Sequence, residues 1–130
     1  MVKDKESQHE AELLERTKAF AVRVVRFCSS LPKSFEAQVL ARQLLRTGTT
    51  VGALYREAVQ ANSSPALMNQ VDLTRRKLDQ TVYWLDLLAE GGIVEPSQAY
   101  GLRTEAHEIK AMLGAAPKTA AKKGALKIRR

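Results

Sequence analysis

Three arginines, Arg42, Arg46 and Arg56, stand at relative positions i, i+4 and i+14, with Thr49 at i+7. In a helix these offsets bring all four side chains close to one side. Arginine offers a planar fork of donors that grips phosphate in two places at once, so such a line is chemistry for a nucleic-acid backbone. A second basic cluster, Arg75, Arg76 and Lys77, follows downstream, and Arg16, Arg23 and Arg26 mark the solvent side of an earlier helix. The competing reading is a solvated surface with ion pairs between helices, for which Glu57 and Asp79 are the obvious acids. On that reading Glu57 pairs an arginine from a neighbouring helix. A third cationic group, Lys118, Lys122, Lys123, Lys127, Arg129 and Arg130, lies after residue 116, where no acid occurs.

Residue types that catalyse are sparse. His9 falls in a segment expected to fray, and His107 lacks the i, i+4 partner of a helical metal site. Cys28 has no histidine in its own segment and reads as a structural thiol. Gly48 and Gly52 lie within a helical pattern, so they form no phosphate-cradling loop. No pair of carboxylates sits in an apolar run as a tuned acid and base would. No cofactor or metal is expected, and the chain reads as a non-enzyme. The aromatic residues Phe20, Phe27, Phe35, Tyr55, Tyr83, Trp84 and Tyr100 are not interleaved with basic ones as base-stacking platforms are. Nucleic-acid binding, if it occurs, is then electrostatic and salt-sensitive rather than sequence-reading.

Charge divides the chain. Of 21 basic and 14 acidic residues, 15 basic and all 14 acidic ones lie in residues 1–115, so nearly the whole net charge of +7 belongs to the end of the chain. The expected organisation is a flexible N-terminus over 1–9, a folded unit over 10–115 and a basic, disordered tail over 116–130. The tail is either a solubilising end or a clamp on phosphate. A length of 130 residues suits one domain. The charged start carries no secretion signal, no apolar run approaches a membrane span, and one cysteine excludes an internal disulfide. The expected compartment is the cytoplasm.

The elements that must carry these groups are helices. Leu13, Thr17, Phe20, Val24, Phe27 and Leu31 recur every three or four residues, predicting a first helix from Glu10 to Ser30, stopped by Pro32. A second runs from an N-cap at Ser34 through Val39, Leu40, Leu44, Val51, Leu54, Tyr55 and Ala58 to Ala61. Inside it, Gly48 and Gly52 mark either a local weak point or kink or, the reading preferred here, close approach of a neighbouring backbone. A third starts at an N-cap on Ser64 with Pro65 as its first residue, follows Leu67, Val71, Thr74, Leu78, Val82 or Thr81, Leu85 and Leu88, and ends at Gly91-Gly92. A fourth follows Pro96 along Leu102, Ala106, Ile109 and Leu113, closed by Gly114 and Pro117. No alternating strand pattern appears. The fold class is all-α, an antiparallel up-down-up-down four-helix bundle.

The apolar arcs are wider than one stripe. Leu45 and Tyr55 on the second helix, and Leu73, Tyr83, Trp84 and Leu87 on the third, lie beyond the core lines. Either the central helices are more deeply buried or these residues form a subunit interface.

The run Arg42-Gln43-Leu44-Leu45-Arg46-Thr47-Gly48-Thr49-Thr50-Val51-Gly52-Ala53, then Tyr55-Arg56-Glu57-Ala58, resembles the signature of a four-helix-bundle family. Its members include proteins encoded in intervening sequences of bacterial 23S rRNA genes. Leu31-Pro32, Asp79, Thr81, Tyr83-Trp84-Leu85 and Leu87-Leu88 match it as well, and the resemblance spans roughly residues 13–113. It implies a bacterial, cytoplasmic bundle that assembles as a homo-oligomer, a ring-like pentamer favoured. Accessory proteins of diversity-generating retroelements resemble it in fold and work with a reverse transcriptase and nucleic acid, so RNA, DNA or such a protein are the implied partners. The chain departs from the family at Leu54, where asparagine is common, and at Arg76, Lys77 and Gln80, where a Lys-Glu pair and a later Glu are common.

Together these features predict a homo-oligomeric scaffold that binds nucleic acid, RNA favoured, through basic faces and tail. The alternative is a protein-protein adaptor with no nucleic-acid role.

Overall fold

The computed structural model describes the backbone of residues 2–128 and the side chains of residues 5–114. Four helices follow in order: α1 Val2–Ser29, α2 Phe35–Val59, α3 Ser64–Glu90 and α4 Pro96–Ile128. Each packs on its two neighbours around a square, α1 on α2, α2 on α3, α3 on α4 and α4 back on α1, with no diagonal pair of helices in contact among the described residues. Contacts such as Arg16 with Glu105, Cys28 with Ala41, Thr47 with Thr81 and Asp86 with Arg103 pair rising with falling residue numbers, so adjacent helices are antiparallel. The up-down-up-down bundle expected from sequence is the fold observed.

The ends of the helices follow capping chemistry. The Ser34 hydroxyl accepts from the Ala37 amide at 3.3 Å, opening α2 as expected. For α3 the cap is Ser63 rather than Ser64. Its hydroxyl accepts from Ala66 N–H, which moves Pro65 from the first to the second helical position and leaves Ser64 buried inside the first turn. At the other end of α3, Gly92 takes the left-handed conformation with φ 77°, while Gly91 stays right-handed. The Ile93 amide then folds back onto the Leu88 carbonyl, satisfying a group the helix would leave open. At the start of α4, Gln98 Oε1 accepts from the Glu95 amide at 2.8 Å, a side chain reaching back to the cap.

Two helices are longer than their periodicity suggests. α1 starts at Val2, not Glu10, and His9 is no frayed residue: its Nε2 hydrogen-bonds the Met112 carbonyl of α4 at 3.1 Å. Residues 2–9 are mostly polar, so the apolar count carried no sign of that packing. α4 continues past Gly114 and Pro117 to Ile128. Proline's fixed φ is itself helical, and alanine and lysine, which dominate this stretch, are strong helix formers that offset the one amide hydrogen bond proline forfeits.

The core is built from the predicted stripes. Leu13, Phe20, Val24, Leu44, Val51, Leu78, Leu85, Leu88, Ile109 and Leu113 are essentially inaccessible, whereas Val39 is exposed and Leu54 half-buried at the edge of α2. Thr17, Thr47, Thr74 and Thr81 are buried too. Each hydroxyl lies 2.7–3.1 Å from the carbonyl four residues back. Thr47 and Thr81 also meet across α2 and α3 at 3.0 Å, one hydroxyl donating to the other.

Gly48 and Gly52 are where α1 and α2 close together. A Cβ on Gly48 would come 2.8 Å from Val24 Cγ2 and 2.9 Å from Cγ1, while a Cβ on Gly52 would meet the Thr17 carbonyl oxygen at 3.4 Å. Val24 is buried and stiff at χ1, so it cannot swing aside. Gly48→Ala is therefore expected to destabilise the protein by about 1–3 kcal/mol through overpacking. Gly52→Ala should fall within about 1 kcal/mol of the parent, because helix propensity offsets a tolerable contact. Urea unfolding of the two variants checks the contrast.

Candidate nucleic-acid interface

The bundle sorts its cations into two sets. Three of the five described cations on α3 and α4 are matched to acids. Arg76 meets Asp72 at 2.9 Å one turn away, Lys110 meets Asp79 at 2.8 Å, and Arg103 meets Asp86 at 2.8 Å. Arg16 of α1, expected on the solvent side, is instead half-buried and clamped to α4. Its guanidinium takes Glu105 through two nitrogens, at 3.0 and 2.7 Å, and Glu108 at 2.8 Å. This clamp was legible only as an arginine three residues after Leu13, on the flank of the core stripe, facing two glutamates three apart on α4.

The second set is unmatched. Arg42, Arg46 and Arg56 are exposed on the outer side of α2, and none forms an ion pair with any described residue. Lys18 of α1 is likewise exposed and without such a partner. At 1.5 Å per residue, Arg42 and Arg46 lie about 6 Å apart along the axis, and Arg56 about 15 Å beyond Arg46. Thr49, between them, turns its hydroxyl inward to the Leu45 carbonyl at 2.6 Å, so it adds no outward donor.

The downstream cluster is not one surface. Arg76 is engaged by Asp72, and the Lys77 ammonium donates to Gln80 Oε1 at 3.2 Å. Arg75 is half-buried and in no ion pair among the described residues. Three consecutive residues point in three directions around a helix, which is why this cluster offers less than its density in sequence suggests. Lys77 and Gln80 are two of the family departures, and here they satisfy one another. Glu57 accepts from Gln70 Nε2 at 2.6 Å, not from an arginine, because Gln70 is what α3 presents opposite it. The side chains of Lys118, Lys122, Lys123, Lys127, Arg129 and Arg130 lie outside the described residues.

The expected interface residues also divide. Tyr55 is 3% exposed and belongs to the core, so it is unavailable to a partner. Its place on α2, one turn from Val51 and three residues from Ala58, already puts it on the inner face. Burial pushes its hydroxyl up to about 12, and the Glu10 carboxylate adds to the shift. Tyr83 and Leu45 are exposed, while Leu73, Trp84 and Leu87 are half-buried. The rings of Tyr83 and Trp84 meet edge-on with centroids 5.1 Å apart. Trp84 Nε1 is shielded and has no hydrogen-bond acceptor among the described residues. Cys28 is half-buried with its thiol pushed up by burial, and its Sγ donates to the Ala41 carbonyl at 3.5 Å. Among the described residues, no group of three or more potential metal ligands occurs and no helix is long and apolar enough to cross a membrane.

The profile of the 23S rRNA-intervening sequence protein family matches residues 9–115. This chain belongs to that family. A solved structure from Bacteroides thetaiotaomicron, described as a protein of unknown function from the S23 ribosomal protein family, is similar at 29% identity. It covers 85% of this chain and 98% of its own, with a TM-score of 0.79. A search of the curated proteins finds no match. The family's matched span takes in the arginine line of α2 and the Arg16 clamp alike.

Hydrogen bonding from Arg16 is the main cause that holds the Glu105 carboxyl below its ordinary 4.5, with burial opposing. A carboxyl depressed in the folded state stabilises the fold above its unfolded value and loses that contribution as pH falls through the folded one. Glu105→Gln is thus expected to cost about 1–2 kcal/mol at pH 7. The deficit should shrink steadily below pH 4.5, as read by urea unfolding at matched ionic strength.

Proposed function

We propose that this protein is a non-enzymatic, homo-oligomeric four-helix-bundle scaffold that binds nucleic acid, RNA favoured, by electrostatic contact. The observation that carries the reading is the segregation of charge: Arg42, Arg46 and Arg56 stand on one exposed face of α2 and form no ion pair among the described residues, whereas Arg76, Arg103, Lys110 and Arg16 are each paired with an acid. An unmatched arginine carries counterions that a phosphate displaces on binding, and the released ions drive association. A matched arginine must first give up its own acid. Six further basic residues follow position 116, with no acid among them.

Self-association is the second part of the proposal, with a pentamer favoured by the family resemblance. Exposed Tyr83 and Leu45, with half-buried Leu73, Trp84 and Leu87 nearby, leave apolar surface that a second copy would cover. Copies arrayed in a ring would repeat the arginine face and multiply weak contacts into a firm grip.

Single-stranded RNA titrated at several salt concentrations tests the first part. The affinity should fall steeply with salt, and Arg42→Gln/Arg46→Gln/Arg56→Gln should lower the log–log slope by about 2. Removing residues 117–130 should lower it further. Binding that ignores both salt and these changes would favour a protein-protein adaptor. Light scattering tests the second part: the purified protein should weigh several times 14.4 kDa, and a monomer at micromolar concentration refutes the assembly.

A further inference from the structure

Beside the arginine face, α1 and α2 enclose an open groove of about 560 Å³. Its depth comes from small residues. Gly52 brings the two helices together at the floor, and Ala21 of α1 and Ala53 of α2 line it. Leu14 and Val59 close the apolar walls. The rim is polar: Lys18 from α1 and Arg56 from α2, both exposed and in no ion pair among the described residues, with the Gln60 amide nearby. A volume of this order, mostly apolar with a few convergent polar groups, suits a small flat group rather than water.

We propose that this groove seats one unstacked nucleotide of a single-stranded nucleic acid, the base lying against Ala21, Ala53 and Leu14 and its phosphate held by Arg56 and Lys18. The inference rests on the nucleic-acid reading above and names the class of strand that the face accepts. Charge complementarity selects the occupant: Arg56 on the rim lies on the same side of α2 as Arg42 and Arg46, about 15 Å beyond Arg46, so a strand tracking that side passes over the groove. A duplex keeps its bases stacked and turned inward, and cannot lower one between two helices. A single strand can. The groove carries no aromatic ring, so the base is gripped by aliphatic contact and by its edge. Gln60 offers a donor pair and an acceptor to that edge, and Glu15, the one acid on the rim, offers an acceptor to an exocyclic amine.

The test compares a fluorescein-labelled 12-nucleotide single strand of mixed sequence with the blunt duplex it forms with its complement, by anisotropy at low salt. Ala53→Leu fills the groove from an exposed position without adding an aromatic ring on which a base could stack. It should weaken single-strand binding about tenfold while duplex binding changes by less than about twofold. Ala21→Leu, approached from α1, should act in the same direction, and circular dichroism with thermal melting identifies any variant that fails to fold. Equal effects on both nucleic acids, or no effect of either folded variant, overturn the proposal and leave the groove to a helix of a protein partner. If single-strand binding survives both substitutions yet is lost in Arg42→Gln/Arg46→Gln/Arg56→Gln, only the groove assignment fails. If the parent protein binds neither nucleic acid, the electrostatic reading falls with it.

Discussion

The close contact of α1 with α2 governs the rest of the molecule. It exists because position 48 has no side chain, which lets the Val24 methyls occupy the space a Cβ would need. Leu44 and Val51 then reach the centre of the square, and Thr17 lies directly over Gly52. On the outer side the same closeness has the opposite result. Two helix backbones drawn together between small residues leave a trough, so one packing solution produces both a tight interior and a concave surface.

Electrostatics divides the exterior along the same lines. The α3–α4 edge is stitched by Asp79 with Lys110 and Asp86 with Arg103, and α4 is tied to α1 through Arg16 and Glu105. Solvent-exposed pairs of this kind add little individual stability. Their larger effect is on the surface field, since each removes a positive charge from the side where it sits. Arg42, Arg46 and Arg56 are left unpaired among the described residues along α2, as is Lys18 on the adjoining part of α1. Net charge alone would not reveal this, because the folded body is nearly neutral in total.

Most of the architecture could be read directly from residue order. The stripes of Leu13 to Leu31 and Leu67 to Leu88, the Ser34 cap and the Gly91-Gly92 stop are local signals, and local chemistry decides them. The glycine pair could be read as a weak point or as a close crossing, and Val24 and Thr17 packed against it decide for the crossing. The misreadings share a different cause. The start of α1 depends on His9 finding a carbonyl 103 residues away, and no periodicity encodes that. Ser63 and Ser64 are chemically identical, so only geometry chooses the cap. At the site, the arginine line was visible as spacing, but whether each arginine is free depends on which acid the fold brings near it. That separates Arg46 from Arg76, which look alike in sequence. Glu57 with Gln70 and Arg16 with Glu105 are likewise products of register between helices.

The protein has one tryptophan, and its indole is neither sunk in the core nor free in solvent but leans edge-on against Tyr83 at the flank of α3. An indole in that half-sheltered position emits at a wavelength set by how much water reaches it. Whatever settles on this flank will shift the colour and yield of the native emission, so the chain carries its own optical gauge of being covered, with no dye attached and no residue changed.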